Sequence, residues 1–197
     1  PGFRELGFLP EAFINLLAML GWNDGTDNEL FILDELIDKF SIDRVNKAGA
    51  KFDFEKAKWF NAEWIKRSEA RSLESEVRKV LGDKGVVVND DELLLKTIDL
   101  VKERCTLLPD FYQQLSYFFE QLKEYDLAAV KPKWADAKTD FYKEFITLIK
   151  NTKVWEPLDL ETRFKALAEE KAIKAGELML PFRIMLVGGK FVLNVFD

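Results

Sequence analysis

Arg44, Lys47, Lys51, Lys56 and Lys58 stand close together in the chain, interleaved with Phe52, Phe54 and Trp59. Cationic heads neutralise phosphates, and the small residues Ala48, Gly49 and Ala50 would let a backbone come close, so the pattern suits a structured RNA recognised by shape. A solvated helix face with an aromatic underside has the same spacing. Two further arginines stand apart from this group: Arg104 lies in Lys102-Glu-Arg-Cys-Thr106 and Arg183 in Leu180-Pro-Phe-Arg-Ile-Met-Leu-Val-Gly-Gly189. As purely structural residues, Arg104 would balance the macrodipole at a helix C-terminus and Arg183 would pair with an acid such as Glu177.

Other chemistries are closed to these 197 residues. Histidine is absent, which removes the commonest general base and metal ligand and rules out Ser-His-Asp and Cys-His catalysis by this chain. The single cysteine, Cys105, cannot form an intrachain disulfide. It continues the helical pattern Leu94, Ile98, Val101, which marks it as a small core residue. No apolar run is long enough for a membrane span and no signal pattern opens the chain, so a cytoplasmic setting without membrane contact is expected.

The net charge of -6 taken as a sum argues against a polyanionic partner, but its distribution is uneven. Residues 23–42 hold six acids (Asp24, Asp27, Glu29, Asp34, Glu35, Asp38) against Lys39, whereas residues 43–67 hold seven bases against four acids. Residues 131–197 carry 12 bases and 10 acids. Two basic islands thus stand on an acidic background.

The elements that must position these groups are helical. With 10 Gly and 6 Pro in 197 residues, turns are sparse and apolar repeats follow helical spacing. Helices are expected over 10–20, 33–40, 42–47, from a cap at Asp53 to about 66, and over 72–81, 91–106, 110–124, 134–150, 159–175 and 177–187. Ser41, Asp90, Asp110 and Asp159 are candidate N-caps, and Gly176 or Gly188 could close a helix in the left-handed conformation. Val86-Val-Val88 is the one strand candidate. Trp134, Trp155, Phe118, Phe119 and Tyr142 read as core residues rather than stacking platforms. The fold class is all-α, an irregular multi-helix bundle in two subdomains, with a boundary near Ser68-Glu-Ala-Arg-Ser72 separating residues 1–67 from 68–197.

Five stretches carry a resemblance. Gly7-Phe-Leu-Pro-Glu-Ala-Phe-Ile-Asn-Leu-Leu-Ala-Met-Leu-Gly-Trp22 and Lys47-Ala-Gly-Ala-Lys-Phe-Asp-Phe-Glu-Lys-Ala-Lys-Trp-Phe-Asn61 closely resemble the segment that follows the catalytic domain in bacterial glutamyl-tRNA synthetases. Lys102 to Thr106 and Leu180 to Gly189 resemble two later phrases of that family, and Val195-Phe-Asp197 is similar to the start of its next helix. Where the family has Pro-Gly or Gly-Pro-Gly before an aromatic residue, this chain has Val192-Leu193-Asn194.

The resemblance implies a tRNA-reading, C-terminally truncated portion of a larger class I ligase that joins glutamate to its tRNA with ATP and Mg2+. Residues 1–67 would be the stem-contact segment, with Arg44, Lys47, Lys51, Lys56 and Lys58 against the inside corner of a glutamate-specific tRNA. Residues 68–197 would be the helical anticodon cage, with Arg104 and Arg183 reading anticodon bases. The family's His-Ile-Gly-His and Lys-Met-Ser-Lys-Ser type phrases are missing here, so the piece itself is expected to be catalytically silent, without cofactor or metal, and monomeric. A helical scaffold that binds another protein is the alternative.

Overall fold

The computed structural model describes residues 2–47, 49–190, 195 and 196, and among these only helices, short 3-10 turns and loops occur. The chain forms two compact units, Pro1–Glu120 and Gln121–Asp197.

The first unit contains α1 (Pro10–Met19), α2 (Leu33–Lys39), α3 (Phe54–Arg67), α4 (Ala70–Asp83), α5 (Asp91–Val101) and α6 (Asp110–Phe119). Helix α3 starts where it does because Asp53 accepts from the amides of Glu55 and Lys56 at 2.9 and 3.1 Å, satisfying donors that have no partner within the helix. Asp90 caps α5 in the same way, through the amide of Leu93 at 2.9 Å. Their buried faces follow helical spacing: Ala57, Phe60 and Ile65 in α3, with Asn61 between them, Leu73, Val77 and Leu81 in α4, and Leu94, Ile98 and Val101 in α5. Each is buried, and each large apolar one contributes roughly 1.5–3 kcal/mol of transfer free energy. Helices α4, α5 and α6 pack on one another, and α1 packs on α3.

Two buried asparagines join these layers. The side-chain oxygen of Asn15 accepts from Phe31 N and Trp64 Nε1, both at 3.1 Å, and its amide donates to Glu29 O at 3.0 Å. Asn61 accepts from Leu9 N at 2.7 Å and donates to Thr106 O at 2.6 Å. Because these bonds tie residues 9, 61 and 106 together, residues 1–67 and α4–α6 lie in one compact unit. The expected division near residue 67 falls inside it.

The second unit contains α7 (Leu127–Val130), α8 (Asp136–Lys150), α9 (Pro157–Glu170) and α10 (Ala175–Val187). Its core is aromatic: Phe164 meets Phe141 and Phe145 edge to face, each at 5.0 Å, and such pairs contribute about 0.5–1.5 kcal/mol beyond their buried area. Tyr142 Oη donates to Leu178 O at 2.5 Å, pinning α8 to α10. Gly188 ends α10 with φ 78°, and a Cβ there would lie 2.9 Å from Glu124 O, so glycine is needed for both the turn and the close approach.

Several local expectations differ from the structure. The helix expected over 42–47 is a single 3-10 turn, Ile42–Arg44, and the Ser41 side chain does not cap it. Asp110 instead accepts from the amides of Thr106 and Leu107 ahead of its helix. Pro157 opens α9 after Glu156, which leaves Asp159 within the first turn, and Gly176 lies inside α10 rather than ending the previous helix. The short helix α7, capped by Asp126 through Ala129 N at 3.1 Å, is an element that periodicity over four residues could not reveal. Val86-Val-Val88 lies in the connection between α4 and α5 and forms no strand. Trp155 is 62% exposed and Trp134 38% exposed, so neither is a core residue, because both sit in connections beside α8 rather than on a helix stripe; Tyr142 is buried as expected. No described helix is long and apolar enough to cross a membrane.

Candidate nucleic-acid interface

The basic stripe around α3 is partly offset by acids from two directions. Lys56 Nζ lies 2.5 Å from Glu29 Oε1 and 5.9 Å from the centre of the Phe60 ring. Lys58 Nζ lies 2.9 Å from Glu55 and 5.2 Å over Phe54. Arg44 Nη1 donates to the backbone oxygen of Asp24 at 2.7 Å, which holds the 3-10 turn against the Asn/Asp-rich loop. Lys47 and Lys51 are exposed and have no ion-pair partner among the described residues. The sequence shows these five cations as one group; the fold separates two bare lysines from three that already have partners. Ala48, between them, lies outside the described residues, as do Phe191 to Asn194 and Asp197.

The acidic loop that faces this stripe is itself ordered by its side chains. Asp24 accepts from Thr26 Oγ1 at 2.6 Å and Thr26 N at 3.0 Å, and pairs with Lys39 at 3.1 Å. Its hydrogen bonds with Thr26, aided by Lys39, hold its carboxyl down at about 2 against partial desolvation. The glutamate of the same run, Glu29, supplies the partner of Lys56. The clustering of acids in residues 23–42 was the sequence signal for this pairing.

Arg104 ends a 3-10 turn, Lys102–Arg104, that continues α5 and packs against α3. It is exposed and has no ion-pair partner among the described residues. Its neighbour Lys102 is instead tied down, to Asp99 at 2.7 Å and to Ser68 O at 2.9 Å. Burial pushes the Tyr117 hydroxyl up to about 12, and the positive charge of Arg104 opposes that shift. Arg104, Lys56 and Lys58 therefore sit on packed elements of one unit.

Arg183 belongs to the second unit, on α10. The pairing with Glu177 does not occur: Glu177 approaches Lys138 instead, at 3.6 Å, because the offset from 177 to 183, about 1.7 turns, turns the two side chains roughly 120° apart around α10. Arg183 is half-buried, and its Nε is enclosed with no acceptor among the described residues. A buried donor left without an acceptor costs about 1–3 kcal/mol, so a ligand that supplied one would recover that cost.

Cys105 is buried, its Sγ donates to Val101 O at 3.6 Å, and desolvation raises its thiol to about 12, which leaves it without nucleophilic character at neutral pH. No group of three or more His, Cys, Asp or Glu placed to hold a metal ion occurs among the described residues. Trp134, expected in the core, is instead a partly exposed ring beside the basic pair Lys131 and Lys133.

The chain has relatives among known proteins. It is 40% identical over 196 residues to a glutamate–tRNA ligase of Flavobacterium psychrophilum and 36% identical over 196 residues to one of Porphyromonas gingivalis, each match covering 100% of this chain and 39% of the relative. The crystal structure of a glutamate tRNA ligase from Elizabethkingia meningosepticum in complex with its amino acid superposes with a TM-score of 0.88 at 37% identity, over 100% of this chain and 39% of that one. The chain thus spans about two fifths of the length of these relatives, 39%. The profile of the anticodon binding domain matches residues 55–197, and the chain belongs to that family.

Proposed function

We propose that this chain is the tRNA-reading part of a glutamate–tRNA ligase, docking the inside corner of the tRNA with the segment around α3 and the anticodon loop with Arg104 and Arg183. The observation that carries this reading is the match of the whole chain to such ligases, with 40% identity, together with exposed cations at Lys47, Lys51 and Arg104 that have no internal partner among the described residues. Phosphate contacts would set the register and the two arginines would supply base preference. The complete ligase would use ATP and Mg2+ to join glutamate to its tRNA, and no residue of this chain is assigned to either.

Titration with glutamate tRNA at several salt concentrations, followed by the same tRNA with an altered anticodon, tests the proposal. Affinity should fall linearly on a log–log salt plot, and the altered anticodon should bind more weakly. Binding that ignores both salt and anticodon would refute it.

A second reading, a protein-binding scaffold, is favoured by the exposed apolar side chains around α2. Ile37 is 68% and Ile42 79% exposed, and Ile32, Leu33 and Phe40 are each about half exposed among flanking acids. Such a surface repels RNA and suits a protein partner. Association that is insensitive to salt and lost in Ile37→Asp would support it.

A further inference from the structure

We propose that the second unit carries a cleft for one unpaired RNA nucleotide, with the base in an apolar slot against Trp134 and the phosphate in an adjoining cavity beside Lys133 and Lys138. This rests on the RNA-binding reading and adds to it a subsite that neither Arg104 nor Arg183 lines.

The slot, of about 200 Å3, is walled by Tyr125, Leu127, Trp134, Pro181, Ile184 and Met185. Its lining is almost wholly apolar, yet Tyr125 is 46%, Trp134 38% and Met185 40% exposed, so these rings and thioether are presented rather than packed away. Trp134 is held in place: its Nε1 donates to Thr139 Oγ1 at 3.0 Å and its ring lies 5.9 Å from that of Tyr142, tilted by only 13°. A fixed indole face beside a methionine suits a flat ring, and base–aromatic stacking contributes about 1–3 kcal/mol per base.

The adjoining cavity, of about 520 Å3, shares Val130 and Pro181 with the slot and is lined by Lys133, Lys138, Gly176 and Glu177. Lys138 is a buried lysine, 6% exposed. Its Nζ donates to Lys133 O at 2.8 Å, and its nearest carboxylate, Glu177, stands 3.6 Å away and is itself 58% exposed. A buried ammonium ion with one short hydrogen bond and a loose counter-ion is under-compensated, and a phosphate oxygen would complete it. The space beyond Gly176 is open, since a Cβ there would meet no atom within 4 Å.

An apolar slot and a cationic cavity that share two walls match the two ends of a nucleotide, whereas a free anion would need only the second and an aliphatic peptide only the first. The charged residues lining the two cavities are Lys133, Lys138 and Glu177 in the larger and Lys131 in the slot, a net positive set.

The test uses the 15N-labelled chain and the indole Nε1–H resonance of Trp134, assigned by its loss in Trp134→Phe. Uridine and cytidine monophosphates, the corresponding nucleosides, inorganic phosphate and an acidic dipeptide containing tryptophan serve as probes. The monophosphates should move this resonance and bind about fivefold or more tightly than nucleoside or phosphate alone, and Lys133→Ala and Met185→Glu should each weaken them about fivefold or more with an unchanged melting temperature. An unmoved resonance, an equal response to phosphate alone, a tighter response to the dipeptide, or an unaltered response in both variants would overturn the proposal. A parallel titration with glutamate tRNA separates the two claims. Intact tRNA binding without a monophosphate response overturns the cleft alone, and a monophosphate response without tRNA binding supports the cleft while removing the ligase reading.

Discussion

The side-chain amide of Asn61 donates to the backbone oxygen of Thr106 at 2.6 Å, so the helix that carries Lys56 and Lys58 is fixed to the turn just beyond Arg104. The same side chain accepts from Leu9 N at 2.7 Å. Replacing Asn61 with leucine would leave a buried N–H and a C=O without partners, at a cost of about 2–4 kcal/mol. Urea denaturation should show this as a lower midpoint with an unchanged slope. Stability equal to wild type would mean that the bond does not hold the layers together.

The two arginines should separate folding from recognition. Arg104→Ala should leave the melting temperature unchanged and lose about 1–3 kcal/mol of preference for the cognate anticodon over an altered one. Arg183→Met should bind tRNA more weakly while its stability stays within about 1 kcal/mol of wild type or rises, since it removes an enclosed donor that lacks an acceptor. If Arg183→Met unfolds the protein, the arginine has a structural partner after all.

The lysines of the stem-contact segment should not be equivalent. Lys47→Ala and Lys51→Ala should each reduce the slope of log affinity against log salt by about 0.7–0.9, the share of one phosphate contact. Lys56→Ala should change it less, because Glu29 already engages that ammonium, and Glu29→Gln should strengthen RNA binding by freeing it. Identical slopes for all four variants would show that this stripe does not touch the phosphates.

Asp24 predicts an acid-sensitive loop. Its carboxyl titrates at about 2 in the folded chain against 3.8 as the ordinary value, held down first by its hydrogen bonds with Thr26 and then by Lys39. A depressed folded value means that the stabilisation is present above pH 3.8 and is lost as the pH falls from there toward 2. Asp24→Asn should flatten the stability profile in that window and leave the rest unaltered. A mutant profile parallel to wild type between these pH values would contradict this.

Cys105 should be inert. With its thiol raised to about 12 by burial, it should not react with a thiol reagent at pH 8 until the protein is unfolded in denaturant. Prompt labelling of the folded chain would show that the core around α5 opens.

Much of this architecture is legible in the sequence, for local reasons. The caps at Asp53 and Asp90, the apolar repeats of α3 to α5, the burial of Cys105 and the left-handed Gly188 all depend on residues within a few positions of one another. The short helix α7, the exposed Trp134 and Trp155 and the single turn at 42–44 were not legible, since a stretch of three or four residues holds no periodicity. The candidate site divides in the same way. The positions of the cations are a property of the sequence, whereas their availability depends on which acid the fold brings across from elsewhere: Glu29 reaches Lys56 from 27 positions away.

The order of residues alone determined a helical chain without histidine, carrying basic clusters at Arg44 to Lys58 and singular arginines at 104 and 183. Only the tertiary structure decided that residues 1–67 share a unit with α4–α6, that Glu177 turns to Lys138 rather than Arg183, and that a buried lysine borders an apolar slot. The reason is physical. Helix formation and capping are set by neighbours within one or two turns, but burial, ion pairing and the shape of a cavity are set by side chains that meet only after distant helices have packed.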